Sequence, residues 1–549
     1  MGSANNTDRE NQPVADLLHE FIAAAAADRG ERPALLCRDR TLSYAELWRS
    51  VSGVGHGLLA AGIQAAERVA VYLPKQPETV AAIFGAAAAG ASFVPVNPLL
   101  KPRQVSYILQ HSQARVLVTS AQRLQLLAGE LGQCPQLHTV VLVDELAAER
   151  LDTLTRELPD ITLCAWRDLL AAPARPAHRR IDTDMVALLY TSGSTGNPKG
   201  VVLSHRNMVA GARSVAQYLE NTADDRLLAV LPLSFDAGLS QLTTAFSVGA
   251  SAVLMDYLLP RDVLKAVARY RVTGLAAVPP LWNQLLQQDW PAEVADCLRY
   301  VTNTGGAMPV ASTRALQQRL PNTRIYLMYG LTEAFRSTFL PPEELDARPQ
   351  SIGKAIPNAE ILVVNEAGQL CGPNEPGELV HRGALVALGY WNDPEKTAER
   401  FRPSPGQDPA LPVPELAVWS GDQVVRDEDG FLYFVARKDD MIKTSGYRVS
   451  PTEVEEVAYH SGLVAGAAAL GLSYAQLGQA IALVVTPAAG IDPATLDAEL
   501  LAFCQRELPN FMVPARIVVR DNLPHNQNGK IDRRALSAEY AHLFEEPQA

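Results

Sequence analysis

Between residues 180 and 330 the sequence alternates short, wholly apolar runs with amphipathic stretches, and this alternation leaves few architectures open. The runs fall at 186–190, 227–233, 251–255, 274–279, 299–303 and 324–329, separated by helix-period segments at 205–219, 261–271 and 310–320. A strand that is apolar at every position has both faces covered, which points to parallel sheets flanked by helices. An earlier block, 67–73, 78–90 and 92–96, has the same rhythm and predicts a second layer of the same kind. The expected fold is α/β, a large N-terminal domain with parallel-sheet layers covered by helices. No apolar run approaches the roughly 18 residues of a membrane span. The net charge of −12 disfavours a nucleic-acid or anionic-membrane partner, either of which selects a basic face. Six scattered cysteines without a C-x-x-C pair suit reduced thiols better than a disulfide frame or a zinc site. The first residues carry no signal-peptide pattern, so a cytoplasmic enzyme is expected.

The unusual residues fall at the carboxyl ends of the apolar runs. They are Thr191 to Gly196, Ser234-Phe235-Asp236, Thr304-Gly305-Gly306 and Gly330-Leu331-Thr332-Glu333. Ligands of open α/β sheets bind just beyond those ends, so four polar, Gly-rich loops arriving there predict one shared site. Lysine usage adds to this. Only nine lysines stand against 39 arginines, and Lys199, Lys438, Lys443 and Lys530 lie in Gly-containing or loop-like segments, where a compact point charge serves a site. After Gly430 the pattern changes to shorter strands. Ser450-Pro451-Thr452-Glu453 reads as a capping box with proline in the first turn, opening a helix over 453–459. Strand-like 480–486, helical 494–506 and strand-like 516–520 complete a small α+β domain of about 110 residues. Residues 402–415, rich in proline, read as a surface loop.

Tyr190-Thr191-Ser192-Gly193-Ser194-Thr195-Gly196-Asn197-Pro198-Lys199-Gly200 carries the strongest chemical signal. Small residues free backbone amides to face an anion, hydroxyls add donors, and the lysine adds charge. The spacing is not that of a Walker A loop, which disfavours a P-loop NTPase. This segment resembles the phosphate loop of the acyl-adenylate-forming superfamily: acyl-CoA synthetases, luciferases and peptide-synthetase adenylation domains. Leu42 to Leu47, Phe93 to Pro98, Tyr329 to Glu333, Ser420 to Asp422, Arg437 to Asp440, Lys443 to Tyr447 and Asn528 to Lys530 resemble further motifs of that superfamily, in order.

The resemblance implies a domain of residues 1–438 and a small mobile domain of 439–549, with a hinge at Asp439. It implies that Thr191, Ser192, Gly193, Ser194, Thr195, Gly196 and Lys199 hold the ATP phosphates. Gly305, Gly306, Ala307 and Gly330 would line the adenine slot, with Tyr329 stacked on the base. Asp422 and Arg437 would take the ribose, Thr332 the α-phosphate, and Glu333 Mg²⁺, a hard cation that prefers carboxylate oxygen. Lys530 would bridge carboxylate and α-phosphate during adenylation. Lys443, Ser445 and Gly446 would serve thiol transfer after the small domain rotates.

The acid pocket implied is Phe235, Asp236, Asn303, Gly305 and Arg336. Phe235-Asp236 resembles amino-acid-activating domains, whose aspartate takes an ammonium, whereas Tyr447 to Pro451 resembles bacterial stand-alone acyl-CoA ligases. Asp236 is expected to pair either with a substrate ammonium or with Arg336, and the remaining features favour Arg336. The implied activity is an AMP-forming acid–thiol ligase acting on a small carboxylic acid, with CoA as thiol. The alternative is loading of an amino or other acid onto the phosphopantetheine of a carrier protein. No carrier segment follows Lys530, so a carrier is expected in trans. A luciferase-like oxidative or a non-enzymatic relative is a third, weaker reading. Monomer and homodimer both remain open.

Overall fold

The computed structural model describes residues 15–145, 148–191, 198–437, 442–444, 447–474, 478–508, 510–526 and 529–544. Their strands form three sheets. In the largest, Pro33–Cys37, Ser251–Leu254, Arg226–Ala229, Gly274–Ala277, Tyr300–Asn303 and Arg324–Tyr329 pair in parallel. The sheet then continues antiparallel through Thr338–Leu340, Ser351–Ala355, Leu432–Arg437, Leu416–Arg426 and Gly377–Gly383 to Ala359–Val364. Ser251–Leu254, Gly274–Ala277 and Tyr300–Asn303 are buried at every position, as strands covered on both faces must be.

The second sheet runs Thr162–Ala165, Thr139–Leu142, Ala114–Thr119, Arg68–Tyr72, Ser92–Pro95 and Met185–Thr191 in parallel, and is closed by two antiparallel strands, Lys199–Ser204 and Gly389–Tyr390. One continuous apolar core joins the two sheets. It contains Phe93 and Ala187 of one, Leu227 and Ala252 of the other, and Ile83, Met208 and Leu239 of the helices Pro77–Ala89, His205–Tyr218 and Asp236–Ser247. Val51 and Val54 of the helix Tyr44–Ala60 close on Gly85, where an added β-carbon would meet Val54 Cγ1 at 2.5 Å.

The third sheet, the α+β unit expected after Gly430, orders Tyr447–Val449, Ile442–Thr444, Gly478–Pro487 and Val464–Tyr474, with Arg516–Val519 parallel to Gly478–Pro487. It has its own core, in which Val454, Leu483 and Leu500 meet.

Four sequence expectations are corrected. The run at 186–190 belongs to the second sheet, joined to Ser92–Pro95 through Phe93 and Ala187, and not to the sheet of the runs that follow it. The run at 227–233 leaves its sheet after Ala229, where the Val230 amide turns back to donate to the Leu228 carbonyl at 3.0 Å. Residues 274–279 split into a strand ending at Ala277 and a helix Pro279–Leu286 with proline in its first turn. Ser450 does not close a capping box. Its hydroxyl donates instead to the carbonyl of Val435, tying the helix Pro451–His460 to the last strand of the large sheet.

Candidate active site

The carboxyl ends of both parallel sheets open on one cavity of about 1420 Å³, above the roughly 300–1,000 Å³ usual for a single small-molecule site. Thr191 and Lys199 face each other across the hairpin of Met185–Thr191 and Lys199–Ser204, and both line the cavity. Ser192, Gly193, Ser194, Thr195 and Gly196 lie outside the described residues. Gly200 fits because a β-carbon there would stand 3.2 Å from Tyr190 Cζ and 3.4 Å from Trp391 Cβ.

Thr332 and Glu333 occupy a single 3₁₀ turn, Thr332–Ala334, after the strand Arg324–Tyr329. Phe335 then takes φ 58° and ψ −56°, and the amide of Arg336 donates to the carbonyl of Ala334 at 2.6 Å. This is a γ-turn with positive φ, a strained conformation for a residue bearing a side chain. Complete burial of the Phe335 ring holds it there. Gly211 makes the room, since a β-carbon at that position would stand 2.5 Å from Phe335 Cδ1. Residues before and after the reversal, Thr332, Glu333 and Arg336, all line the cavity.

One part of the cavity lining is formed largely by backbone. Gly305 has φ 77° and lines the cavity with Thr304, while the Asn303 side-chain amide donates to the Gly306 carbonyl at 2.9 Å. Asn303 thus braces the turn. Gly306 and Ala307 follow it but are not cavity walls, and neither is Tyr329, whose hydroxyl donates to Asp422 Oδ2 at 2.5 Å. Asp422 is buried, lines the cavity and stands across the antiparallel ladder from Arg437, whose side chain lies outside the described residues. From the small domain, Gly529 and Lys530 reach the same cavity. A β-carbon added at Gly305 would come within 4.0 Å of Lys530 Cε, and one at Gly529 within 3.7 Å of Val278 Cγ2. Asn526 holds this turn closed: its amide donates to the Lys530 carbonyl at 2.7 Å, and its side-chain Oδ1 accepts from the Lys530 amide at 3.1 Å.

Another part of the lining depends on side chains meeting across the chain. Asp236 opens the helix Asp236–Ser247, folded so tightly on residues 231–232 that a β-carbon at Gly238 would stand 2.0 Å from the Pro232 carbonyl oxygen. Its Oδ2 accepts from Arg336 Nη1 at 3.1 Å, with Arg336 only 1% exposed. Arg336 Nε and Nη2 are buried without a partner among the described residues, as is Thr302 Oγ1. Both residues border a void of about 10 Å³ walled also by Ser240 and Gln241, close to the smallest space that holds one water. Phe235 completes this wall beside Leu233 and Val278.

The family description AMP-binding enzyme matches residues 22–391, and AMP-binding enzyme C-terminal domain matches 453–530. The chain belongs to the AMP-binding enzyme family. Its relatives include the L-proline–[L-prolyl-carrier protein] ligase of Streptomyces coelicolor, 34% identical over 93% of this chain and 94% of that one. The long-chain-fatty-acid–CoA ligase of Salmonella typhimurium is 30% identical over 95% and 94%. A linear gramicidin synthase polypeptide of Brevibacillus parabrevis is 32% identical over 96% of this chain, which spans only 6% of that much longer protein. Among solved structures, an anthranilate CoA ligase in complex with anthranoyl-AMP superposes with a TM-score of 0.85 at 25% identity, covering 96% of this chain and 98% of that one.

This AMP-binding enzyme also carries site groups that its sequence pattern does not disclose. Tyr390 donates through its hydroxyl to Glu333 Oε1 at 2.6 Å, and its ring lies 5.3 Å from Lys199 Nζ. Lys75, buried against the carbonyls of Val230 and Met255 and the Asp256 carboxylate, lines the cavity as well. Neither stands in a Gly-rich segment, and no local signal in the sequence marked either one. Of the remaining expected residues, Asp439, Ser445 and Gly446 lie outside the described residues, and Lys443 is described only in its backbone. Among the described residues no three His, Cys, Asp or Glu side chains gather as a metal cage, and no helix is long and apolar enough to cross a membrane.

Proposed function

We propose that this enzyme joins a small carboxylic acid to ATP, giving acyl-AMP and pyrophosphate, and then transfers the acyl group to the thiol of CoA. The observation that carries the reading is the meeting of Lys530 with Gly305, Glu333, Lys199 and Asp422 around one cavity large enough for nucleotide and acid together. A carboxylate approaching an anionic phosphate needs both held in place and the developing charge neutralised. Lys530, beside Gly305, suits that task. Its ammonium attracts both negative groups while a carboxylate oxygen attacks the α-phosphorus and the bond to the β-phosphate breaks. Thr191 and Lys199, with Ser192, Gly193, Ser194, Thr195 and Gly196, hold the phosphates; Thr332 contacts the α-phosphate; Asp422 and Arg437 take the ribose. A single carboxylate, Glu333, suits Mg²⁺, which usually takes one or two carboxylates and completes its shell with phosphate oxygens and water. When bound, the ion would neutralise charge on the departing pyrophosphate.

In the second step the thiol sulfur attacks the acyl carbon, the bond from that carbon to AMP breaks, and the thiol proton is released. Lys443, Ser445 and Gly446 serve this step after residues 439–549 rotate about Asp439, a hinge that absorbs the backbone change. The cytoplasm, where ATP and CoA are available and six thiols stay unpaired, is the compartment this reading assigns.

The Asp236–Arg336 pair favours an acid without an α-ammonium, because Asp236 already has a cation. The second reading, transfer of an amino acid to a separate carrier protein, draws on the likeness to the proline–carrier ligase and on the same Asp236 at the cavity. Pyrophosphate release across a panel of aliphatic, aryl, hydroxy and amino acids, with and without CoA, decides between them. Activation of α-amino acids alone, unaffected by CoA, would overturn the first reading. Stoichiometric ADP would overturn both.

A further inference from the structure

The short strand Gly389–Tyr390 ties together two parts of the site that are remote in sequence. Gly389 pairs with Val202 and Tyr390 with Val201, so the strand lies along the outer edge of the Lys199–Ser204 strand. The amide of Leu388 donates to the Val202 carbonyl at 2.9 Å and that of Trp391 to the Gly200 carbonyl at 2.8 Å, fixing the segment at both ends. On its other side the Ala387 amide donates to the backbone carbonyl of Glu333 at 2.8 Å. One short stretch is therefore bonded to the phosphate-loop hairpin and to the Glu333 turn.

The backbone at this brace admits little variation. Gly389 has φ 126°, and a β-carbon there would stand 2.7 Å from Thr397 Cγ2. The Thr397 hydroxyl in turn accepts from the Tyr390 amide at 2.9 Å. The Tyr390 ring is seated edge-on against Phe401, centroids 5.6 Å apart at 79°. A side chain held this firmly still lines the cavity. An ordinary core tyrosine directs its hydroxyl to whatever acceptor lies nearest. This one reaches the carboxylate that faces the nucleotide end of the cavity, at 2.6 Å, within the 2.5–2.7 Å typical of a charge-assisted O–H···O⁻ bond. The ring face meanwhile receives Lys199 Nζ at 5.3 Å, inside cation–π range.

Resting on the nucleotide reading of the cavity, we propose that Tyr390 is a positioning residue that sets the Glu333 carboxylate for the metal ion and the Lys199 ammonium for the phosphates. Donation to Oε1 fixes the carboxylate plane and leaves Oε2 for a cation. The ring keeps Lys199 from collapsing onto Glu333, a pairing that would cancel the two charges the site needs apart. A two-residue strand thereby couples the anionic and cationic halves of the triphosphate site.

The test is ATP binding by calorimetry, without acid so that nothing turns over, across a Mg²⁺ titration. Tyr390→Phe keeps the ring and loses the hydroxyl. It is expected to raise the Mg²⁺ concentration that half-maximally tightens ATP binding about tenfold, the equivalent of one charge-assisted hydrogen bond. ATP affinity without metal should change less than about twofold, since the ring that faces Lys199 stays in place. Tyr390→Leu, which removes the ring as well, should also weaken metal-free ATP binding, through Lys199. In a Glu333→Gln background Tyr390→Phe should have no further effect on the Mg²⁺ dependence. Unchanged Mg²⁺ dependence in Tyr390→Phe would overturn the proposal, as would equal loss of ATP affinity with and without metal, or additive effects of the two substitutions. A parent enzyme that binds no ATP at any Mg²⁺ concentration would instead sink the nucleotide reading of the cavity, and this proposal with it.

Discussion

The two walls of the cavity are built by different means. On the nucleotide side the positions are set by backbone: Gly305 in the left-handed region, the 3₁₀ turn at Glu333, and the hairpin that brings Thr191 opposite Lys199. On the acid side they are set by one long-range pair, a buried Arg336 with Asp236 at the cavity, a hundred residues apart. A wall made of backbone needs particular small residues at particular positions, and those persist whatever acid is bound. A wall made of one ion pair and the apolar residues around it can change through a few side chains. The γ-turn at Phe335 is where the two meet, since Glu333 just before it and Arg336 just after it both line the cavity.

The comparison breaks most visibly if the acid-side pair can be removed without harm. Arg336→Met should lower stability by up to about 3 kcal/mol, the cost of leaving Asp236 without its partner at the cavity wall. Asp236→Leu in the same chain should recover most of that loss, because an apolar pair carries no stranded charge. Denaturant melts of the single and double variants check both statements. A stability loss in the double variant as large as in Arg336→Met would show that the pair is not what holds this wall.

On the nucleotide side the largest effect should be catalytic. Lys530→Ala is expected to lose at least about 10²-fold in acid-dependent pyrophosphate release, the equivalent of about 3 kcal/mol of placed charge. The same variant should still convert chemically made acyl-AMP to thioester. The turn itself should persist in this variant, because Asn526 holds the amide and the carbonyl of residue 530, which the substitution leaves in place. Loss of both half-reactions together would count against rotation of the small domain about Asp439.

Behind the acid wall a buried histidine gives a pH test. His381 is fully buried, its Nδ1 is 2.9 Å from Ser337 Oγ, and Nε2 has no partner among the described residues. Burial pushes its pKa down to about 3 from an ordinary 6.5, so the folded protein keeps it neutral where the unfolded chain would protonate it. Its contribution to stability is therefore complete above pH 6.5 and falls as pH drops from there toward 3, by about 1.4 kcal/mol per pH unit. His381→Gln should flatten the stability-against-pH curve by one proton between about pH 4.5 and 6.5, inside the window those two pKa values bound. An unchanged slope would place the acid sensitivity elsewhere, with His205, whose pKa is likewise pushed down to about 3, as the next group to replace.

What the sequence disclosed follows the same division. Apolar runs marked the strands, and the Gly-rich loops marked the nucleotide wall, because glycine at a forced turn leaves a local trace. Asp236 with Arg336 was readable only as one of two options, since nothing local in a chain records which buried charge meets which. Tyr390 was not readable at all: a tyrosine in a short strand looks like many others until the sheet edge brings it to Glu333. The second sheet was mis-partitioned for a related reason. Met185–Thr191 has the same apolar run as its successors, and only long-range pairing with Ser92–Pro95 assigns it.

The smallest effect bears on how far backbone alone fixes the nucleotide wall. Tyr329 does not line the cavity; its ring lies beside Phe434, and its hydroxyl donates to Asp422 Oδ2 at 2.5 Å. If the buried Asp422 carboxylate takes the ribose hydroxyls, this bond orients it before the nucleotide arrives. Tyr329→Phe then removes one hydrogen bond to a charged group, worth about 1.5–3 kcal/mol in place, of which only the part that orients the carboxylate reaches ATP binding. The expected result is a rise of several-fold in the KM for ATP, with the KM for the acid unchanged. With 2′,3′-dideoxy-ATP the difference between parent and variant should shrink, because the oriented oxygens no longer have hydroxyls to meet. Were the KM for ATP to stay constant, the ladder that sets Asp422 opposite Arg437 would be enough to hold the carboxylate, and the nucleotide wall would be a matter of backbone throughout.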